Sequence, residues 1–555
     1  MSFTDSEKRI LEHFVTSCDD RIYAIKHTVP PEVFGALGSY FSRNPKDFRE
    51  HLLDAIKGQI EEEEIEAAEK NLEWLINGNF KSPTDAISSG ISKSQEFFRK
   101  WYGKYSHKSI ANTVWIPMVG TNVSQLFAKE LAYDQLAFFI EQSTRYVKWN
   151  LDKMFCDSNI MKSNLRDIYL SSLRTSVEAY DRLSEIAVDF YKEKNPFDEW
   201  LNEQSEELKN SSKKFKENTY NRLIRGAALD VSRFLLPQAC LTNIAWILDA
   251  RSTEFDIAAW KGHPLKEIRE SAELIEKHAG QIAPSLLKYT ELNDYYADKL
   301  NNYNKIFEIG WSKKSSFGKG VDIISHDENS LDKTIAHLMK RHNFGGTFKQ
   351  RYYEAKELSF KSQINLLRRM TEKRNAFDEW VEMDEDFDLM KITFEIRTDI
   401  GAIRDWRRHQ KWDRGEPLYT LDNGYYKPFM IEEMGDEAND LFDKVMETAH
   451  NTEQKIKNVF PFQSQYVIPM AAMHSITMSA GLDQLQYMLW TRSTPQGNFS
   501  YREDAFNIAE KVVKVHPWLL GYKSYPEEKE FLEVYKEAPL KNLLKLQTGR
   551  TALHV

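Results

Sequence analysis

The stretch that decides the fold is Arg233-Phe234-Leu235-Leu236-Pro237, because the chain repeats it in altered form as Gln465-Tyr466-Val467-Ile468-Pro469. An arginine lies 32 residues beyond the first proline (Arg269) and 33 residues beyond the second (Arg502). Another proline follows each of these arginines after 15 residues. Matched spacing of this kind predicts a tandem duplication whose two copies have diverged at polar positions.

The repeat extends upstream of these prolines, where residues 122–135 align with residues 397–410 without a gap. We therefore predict two domains of one fold, spanning 1–310 and 311–555. The first domain carries a segment at about 180–222 that is rich in Glu, Lys, Asn and Ser. This composition is typical of a solvated surface, so we interpret the segment as an exposed helical insertion.

Helical spacing of apolar residues dominates the chain, and strand signals are few. Short β-branched or aromatic runs at 113–119 and 391–396 predict strands. Long helices with a few short strands indicate an α+β fold with small antiparallel sheets. The Ser-, Gly- and Lys-containing stretch 310–329 is interpreted as the connection between the domains. Near the N-terminus, amphipathic helices are predicted at 5–15, 31–42, 46–59 and 61–77.

Composition restricts the function classes. The chain has 555 residues, of which 41% are hydrophobic and 29% charged, with a formal net charge of -9 that argues against general nucleic-acid binding. Its three cysteines lack paired spacing, so we expect neither disulfides nor a zinc site, and no other metal motif occurs. No apolar run is long enough for a membrane span, and the N-terminus lacks an apolar signal core. We predict a cytoplasmic protein.

A compact polar cluster follows an apolar helical stretch at Glu141-Gln142-Ser143-Thr144-Arg145-Tyr146. The guanidinium of Arg145 is a planar, two-pronged donor suited to a phosphate or a carbonyl, with Ser143 and Tyr146 beside it. The alternative is that Arg145 forms a buried ion pair with Glu141 and fixes the end of a helix.

A second basic cluster lies on one predicted helix of the second domain. Arg404 and Arg408 are four residues apart and share a helix face, so both guanidinium groups can reach one anion. His409 follows directly. The alternative is a solvated basic face that pairs with Asp405, Asp413 or Glu416.

These segments, in this order and spacing, resemble the flavin-dependent thymidylate synthases, the thymidylate synthase-complementing family, and more closely its long two-domain type. The resemblance covers most of the chain from about residue 20 to residue 520. In the first domain it rests on 106–110, 141–146, 233–237, 249–251 and 267–269, and in the second on 399–410 and 491–502.

The resemblance implies reductive methylation of dUMP at C5, with FAD as cofactor and methylenetetrahydrofolate and NADPH as co-substrates. It also implies a pyrimidine nucleotide partner and a homodimer that mimics the tetramer of the single-domain enzymes. The nucleotide would be held by Glu141, Ser143, Arg145, Tyr146, Arg251 and Arg269. The flavin would be held by His107, Arg404, Arg408, His409, Gln410 and Arg502. Arg502 and Gln496 lie in the best-matching segment of the second domain and either complete a ligand site or cap a helix.

The chain departs from the family pattern at several positions. The Arg-His-Arg signature, which a serine follows after seven residues in the family, is Tyr133-Asp134-Gln135 in the first domain, where Ser143 is present. In the second domain the signature is Arg408-His409-Gln410, and Leu418 stands at the position where the family has the serine. An expected Glu-His pair is Asn112-Thr113, and an expected arginine is Asp483. Two other hypotheses therefore stay open: a flavin- or nucleotide-binding protein without methyl transfer, and a flavoenzyme that acts on another pyrimidine.

Overall fold

The computed structural model describes residues 3–19, 25–26, 29, 31, 34, 47–57, 108–143, 148–306, 316–342, 345–370, 387–494 and 497–518. The helices predicted at 31–42 and 61–77 lie wholly or almost wholly outside these residues. The chain forms two compact units. The first comprises Met1–Gly120, Leu136–Ile140 and Ile244–Trp311, and the second comprises Thr121–Gln135, Glu141–Asn243 and Ser312–Val555.

The described elements of the first half of the sequence begin with two short N-terminal helices, within the predicted ranges 5–15 and 46–59. The elements of this half are α1 (Asp5–Leu11), α2 (Phe48–Lys57), β1 (Trp115–Ser124), α3 (Gln125–Tyr133), β2 (Phe138–Glu141), α4 (Ser158–Met161), α5 (Arg166–Lys194), α6 (Phe197–Asn202), α7 (Glu206–Lys209), α8 (Lys213–Ser232), β3 (Leu241–Asp249), α9 (Ala250–Trp260), α10 (Lys266–Ile282) and α11 (Asp294–Ile306).

The second half repeats the order strand, helix, short strand, long helix, strand and two helices. Its elements are β4 (Gly320–Ser325), α12 (Ser330–His342), α13 (Phe348–Glu357), α14 (Phe360–Met370), β5 (Lys391–Asp399), α15 (Ile400–Trp406), β6 (Asp413–Gly415), α16 (Phe429–Glu433), α17 (Asp436–Lys457), β7 (Met473–Gly481), α18 (Leu482–Ser493) and α19 (Phe499–Val515).

Helix capping shows the duplication residue by residue. The side chain of Ser124 accepts a hydrogen bond from the backbone N–H of Phe127 and so begins α3. Asp399 accepts the same bond from Ala402 and begins α15. Both residues of the second pair lie 275 positions after those of the first, which is the offset of the ungapped sequence alignment.

Downstream, the offset between equivalent residues falls to 232. Pro237 and Pro469 have this offset, and so do both ends of β3 and β7. The difference of 43 between the two offsets means that the first half holds 43 more residues between these points than the second. The matching order of elements confirms the predicted duplication.

Two small sheets lie among the helices, which confirms the α+β fold class. The three-stranded sheet has the order β1-β3-β2, and the four-stranded sheet has the order β4-β5-β7-β6. In the second sheet β5 pairs with β7 in antiparallel register, from Lys391 opposite Gly481 to Asp399 opposite Met473. The strand predictions at 113–119 and 391–396 are confirmed by β1 and β5.

The core of the second unit covers one face of the four-stranded sheet. Ile392, Phe394 and Ile396 of β5 alternate toward it, and they lie beside Met478 and Ile476 of β7. This period of two is what a strand with one buried face requires. Buried aromatic and aliphatic side chains of α12, α15, α18 and α19 complete the same cluster.

Two sequence-based predictions are wrong in part. The stretch 310–329 contains the edge strand β4, which pairs with β5 from Gly320 opposite Arg397. Its Ser and Gly content concealed a strand with only one deeply buried side chain, Val321. The segment 180–222 is helical but not simply exposed. Tyr180, Leu183 and Ala187 of α5 are buried, because α5 packs against α8 and α17 along this helical stripe.

The two halves of the sequence meet along a local twofold axis within the second unit. The backbone N–H of Gln238 donates to the carbonyl of Ile468 (3.0 Å), and that of Met470 donates to the carbonyl of Leu236 (2.9 Å). With the offset of 232 these two bonds are equivalent. Ala239 to Tyr466 and Ala471 to Phe234 form a second equivalent pair at 2.8 and 3.0 Å. Pro237 opposite Pro469 marks the axis.

None of the described helices combines the length and the apolar character needed to cross a lipid bilayer.

Candidate functional site

The site is built on α15, the short helix that Asp399 begins. Arg404 and Asp405 lie in its last turns, and Arg408 and His409 follow its end at Trp406. Arg404 and His409 are buried, whereas the side chain of Arg408 is 47% exposed. The buried Arg404 and the half-exposed Arg408 therefore place one guanidinium group in the interior and one near the surface at this helix end.

A buried ion pair joins this helix to the first half of the sequence. The Nη2 atom of Arg404 lies 2.5 Å from the Oε1 atom of Glu141, and both side chains are only 7% exposed. Glu141 ends β2 and begins the polar cluster 141–146. The described start of that cluster is therefore in contact with the second half's arginine helix, within the second unit.

Asp405 lies among three further guanidinium groups. Its carboxylate is 3.6 Å from Arg233 Nη2, 3.9 Å from Arg408 Nε and 4.0 Å from Arg492 Nη1. We call Arg233, Arg404, Arg408 and Arg492 the arginine cluster. Burial alone would raise the pKa of Asp405, but the guanidinium groups of Arg233, Arg408 and Arg492 outweigh it and lower that pKa.

The arginine cluster brings four guanidinium groups to one helix end. Asp405 and Glu141 are carboxylates that they contact there. Guanidinium groups bind phosphate and carboxylate through paired, charge-assisted hydrogen bonds. The arrangement is therefore suited to an anionic ligand such as a phosphate ester.

His409 is a neutral acceptor in this arrangement. The Nε atom of Arg492 donates a hydrogen bond to His409 Nε2 over 2.8 Å. Burial and the neighbouring Arg492 lower the pKa of His409 well below its usual range. The imidazole therefore holds Arg492 in place and keeps its own proton on Nδ1.

The other residues predicted from the sequence differ in position. Ser143 is described and stands two residues after Glu141, and Gln410 is half-buried beside His409. Arg145, Tyr146, His107 and Gln496 lie outside the described residues.

Arg251 and Arg269 belong to the first unit. The Arg251 guanidinium lies 5.7 Å from the centre of the Phe255 ring. Arg269 Nη1 donates to the carbonyls of His263 (2.6 Å) and Pro264 (2.9 Å) in the loop before α10. In the second unit, Arg502 Nε donates to the carbonyl of Ser493 (3.3 Å) before α19. The contact of Arg502 is the one that the helix-capping alternative predicts. A ligand role for Arg251, Arg269 and Arg502 stays a prediction.

Sequence reasoning missed Arg233, Arg492 and Asp405 as site residues. The signal for Arg233 was present, because it opens the repeated pentapeptide and its counterpart Gln465 is uncharged. Arg492 lay inside a segment that supported the family resemblance. The sequence indicates Asp405 only as an ion-pair partner of a solvated basic face, and its contact with Arg408 agrees with that alternative.

One further group has the side chains of a metal site. Atoms of Asp422, His450 and Glu453 lie within 4.8 Å of one another. The Nζ atom of Lys457 is 3.0 Å from Asp422 and 3.6 Å from Glu453, so a cation of the chain already faces these carboxylates. The arrangement is explained as an ion-pair network that fixes α17.

A cavity of about 580 Å³ lies between α5 and α8. Four cations, Lys148, Arg182, Lys192 and Arg225, line it together with the carboxylates of Glu185 and Asp189. Arg182 is engaged with Glu437 at 2.7 Å and Lys148 with Asp181 at 2.9 Å, so two of the four cations already pair with carboxylates outside the lining. The arginine cluster is the stronger candidate for an anion.

Comparison with known proteins identifies the class. The family model described as thymidylate synthase complementing protein matches residues 61–285 and 325–518, one match in each half. The chain belongs to the thymidylate synthase complementing protein family, and it is a thymidylate synthase-like protein with a duplicated domain.

The similar proteins are of two lengths. A UPF0159 protein of Chlamydia muridarum is 25% identical over 542 residues, which are 94% of each chain. A flavin-dependent thymidylate synthase of Clostridium tetani is 24% identical over 214 residues, 38% of this chain and 77% of that protein. A crystal structure of a UMP/dUMP methylase, PolB, from Streptomyces cacaoi with bound 5-Br dUMP matches 38% of this chain and 97% of its own. Its identity is 13% and its TM-score is 0.28, too distant for a comparison of sites.

Proposed function

We propose that the chain binds a pyrimidine nucleotide at the arginine cluster and methylates dUMP at C5, with FAD, methylenetetrahydrofolate and NADPH. The observation that carries this proposal is the buried pair between Arg404 and Glu141. It puts the start of the predicted nucleotide segment 141–146 against the predicted flavin helix. Membership of the family and the relative named a flavin-dependent thymidylate synthase support the same chemistry.

The nucleotide phosphate is the group that the arginine cluster would hold. Three guanidinium groups converge on Asp405 and a fourth belongs to the same helix, and a phosphate ester offers the oxygen acceptors that such groups bind in pairs. Glu141 orients Arg404 through its short contact, and Asp405 orients Arg233, Arg408 and Arg492. Preorganised donors of this kind bind and position a ligand without further reorganisation.

The residues present also fit a flavin dinucleotide. Arg408 presents a half-exposed guanidinium beside the buried His409 and the half-buried Gln410, so at the outer end of the cluster it can also donate to the pyrophosphate of FAD, which requires cationic donors. When bound, FAD would supply the redox chemistry of the methylation. The chain would contribute binding and orientation, and the neutral His409 would fix the direction of Arg492.

The test uses the purified full-length protein. We expect a yellow protein with flavin absorption that oxidises NADPH when dUMP and methylenetetrahydrofolate are both added. Carbon label from the folate should appear in dTMP, and omission of dUMP should stop the reaction. A colourless protein that takes up no added FAD and binds no dUMP by calorimetry would contradict the proposal.

Gln410 and Asp483 stand at positions where the family resemblance predicts arginine, and this favours a second candidate function. In this reading the protein binds the nucleotide or the flavin without methyl transfer. A colourless protein that binds dUMP would support it. A yellow protein that is inert toward dUMP would instead indicate another pyrimidine substrate.

A further inference from the structure

The local twofold axis generates a second position equivalent to the arginine cluster. The offsets of 275 and 232 relate Arg404 to Lys129, Glu141 to Glu416 and Arg233 to Gln465. All these residues belong to the second unit. The second position therefore takes its helix, α3, from the first half and its glutamate from the second half, the reverse of the arginine cluster.

The second position retains one equivalent cation and a different environment. The Nζ atom of Lys129 donates to the carbonyl of Pro417 (3.0 Å) and lies 4.3 Å from the centre of the Tyr419 ring. Tyr133 and Gln465 stand where the arginine cluster has Arg408 and Arg233. Two of the four guanidinium groups of the arginine cluster, those of Arg408 and Arg233, are therefore replaced by uncharged side chains at the equivalent positions.

Arg407 contacts the glutamate of this second position. Its Nε atom is 2.8 Å from Glu416 Oε1, its Nη2 atom is 2.8 Å from Glu416 Oε2, and it also contacts the Tyr419 hydroxyl. The side chains of Arg407 and Glu416 are 5% and 2% exposed. The residue equivalent to Arg407 in the first half is Ala132, so the ion pair of Arg407 with Glu416 has no counterpart at the arginine cluster.

The segment after Glu416 is held by polar contacts. The Tyr419 N–H donates to Gln465 Oε1 (3.0 Å), and the Thr420 N–H donates to His474 Nε2 (3.2 Å). Leu418 and Thr420 stand where the first half has Ser143 and Arg145. Neither the side chains nor the fixed backbone retains the donors predicted to bind a nucleotide.

We propose that each chain has a single nucleotide site, at the arginine cluster, and that the ion pair of Arg407 with Glu416 permanently closes the twofold-related site. This inference rests on the proposed function. It also accounts for two of the departures from the family pattern. Tyr133 in the first half and Leu418 in the second half look like independent losses in the sequence, but both belong to the same closed site.

The first test is the binding stoichiometry of the full-length, flavin-loaded protein, measured by calorimetry with dUMP. We expect one dUMP per chain. Two dUMP per chain would overturn the closed site while leaving the proposed function intact. No binding at all would contradict the proposed function, and with it the single site.

The second test compares matched variants, Arg404→Met and Arg407→Met. The two residues are three positions apart, and each forms a buried pair with an equivalent glutamate. Both variants should therefore melt at a lower temperature. Only Arg404→Met should weaken dUMP binding, by about 100-fold, because a charged contact to an anion is lost.

Arg407→Met should keep one dUMP per chain with a Kd within about twofold of the unmodified protein, since its effect is confined to the closed site. If the methionine variants do not fold, Arg404→Lys and Arg407→Lys provide the same comparison with the charge retained. Equal losses of affinity in the two variants would overturn the inference.

Discussion

Asp405 keeps the guanidinium groups of the arginine cluster together while no other anion is bound. Its replacement by Asn leaves Arg233, Arg408 and Arg492 facing one another without their shared carboxylate. We expect Asp405→Asn to lower the melting temperature in chloride. Inorganic phosphate at equal ionic strength should restore more stability to the variant than it adds to the unmodified protein, because anion binding relieves the repulsion.

The control for Asp405→Asn is Asp413→Asn, because the side chain of Asp413 is 70% exposed and its salt bridge to Lys391 is 3.9 Å long. Its melting temperature should change little. An equal response of both variants to phosphate would contradict the role of Asp405.

The pH dependence of the same variant follows from the lowered pKa of Asp405. A carboxyl group whose pKa is lower in the folded state stabilises the protein above its unfolded pKa, and this contribution is lost as the pH falls through the folded pKa. The stability difference between the unmodified protein and Asp405→Asn should therefore shrink below about pH 4. Urea denaturation at several pH values measures it.

The pair of Glu141 and Arg404 should show strong coupling. Removal of one partner leaves a buried charge uncompensated, which costs about 3–5 kcal/mol. We expect Glu141→Gln and Arg404→Met each to destabilise the protein, and the double variant to be more stable than the sum of the two effects predicts. A double-mutant cycle in urea measures this coupling, and additive effects would show that the two side chains do not interact.

Sequence reasoning identified Arg404 but not its partner. The alternative of a solvated basic face pairing with Asp405, Asp413 or Glu416 agrees with the contact between Arg408 and Asp405. The partner of Glu416 is Arg407, however, and that of Arg404 is Glu141, 263 positions away. A contact of that separation depends on the packing of the two halves, which no local pattern contains.

At the scale of elements, a buried network ties β4 to β5 and α19. Lys319 Nζ donates to Ser500 Oγ (2.7 Å) and to Asp504 Oδ1 (3.0 Å), and it lies 3.6 Å from Asp399, the residue that begins α15. Burial, only partly offset by the nearby Lys319, raises the pKa of Asp504 to about 6. The network therefore titrates close to neutral pH while it supports the helix of the arginine cluster.

The sign of its pH effect is opposite to that of Asp405. A carboxyl group with a raised folded pKa stabilises the protein most below its unfolded pKa, and this contribution is lost as the pH rises through about 6. The advantage of the unmodified protein over Asp504→Asn should therefore decrease between pH 5 and pH 7.5, by on the order of 1 kcal/mol. Urea denaturation at both pH values measures it.

The control for Asp504→Asn is Glu510→Gln, since Glu510 lies on the same helix in an exposed pair with Lys514. Its effect should be the same at pH 5 and pH 7.5. If the unmodified protein instead becomes more stable relative to Asp504→Asn as the pH rises, the ionised pair of Asp504 with Lys319 contributes more to stability than burial of the neutral carboxyl group does.

Elements with strong periodicity were predictable, and those with mixed signals were not. β5 alternates apolar and polar residues and was predicted within three residues of its end at Asp399. β4 gives the sequence signal of a connection, because Gly320 and Ser325 bound a strand with a single deeply buried side chain. In α5, charged residues outnumber the narrow stripe of Tyr180, Leu183 and Ala187, so composition suggested exposure where the helix is packed.

At the scale of the whole molecule, the halves of the sequence depend on each other in the second unit. The seam at Pro237 and Pro469 contains four backbone hydrogen bonds that each need both halves. We expect fragments 1–310 and 311–555 to be insoluble or unstable when expressed separately, because each exposes unpaired backbone groups. Coexpressed fragments should associate and recover dUMP binding, as size-exclusion chromatography and calorimetry would show.

A fragment that is stable and binds dUMP by itself would contradict this dependence. Substitution of both Arg404 and Glu141 in the coexpressed fragments should weaken their association, since the buried pair crosses the seam. The matched control substitutes Arg182 and Glu437, an exposed pair that also joins the two halves. It should have a smaller effect.

The spacing of Pro237, Arg269, Pro469 and Arg502 was sufficient to predict the duplication. It was not sufficient to predict how the copies combine, because a repeat in sequence does not specify which surfaces of the copies meet. The expected pooling of side chains from both halves is supported by the contact of Glu141 with Arg404. Whether Arg145 joins Arg408 stays a prediction, since Arg145 lies outside the described residues.

The crossed origin of the two twofold-related positions has an evolutionary consequence. Once two copies of a gene are fused, selection can preserve one crossed site and leave the other to drift. Mutations then accumulate in the helix of one copy and in the loop of the other, so each copy alone resembles a decayed gene. If each copy is judged separately, such a chain looks like a pseudoenzyme, even where the residues of one preserved site are contributed jointly by both copies.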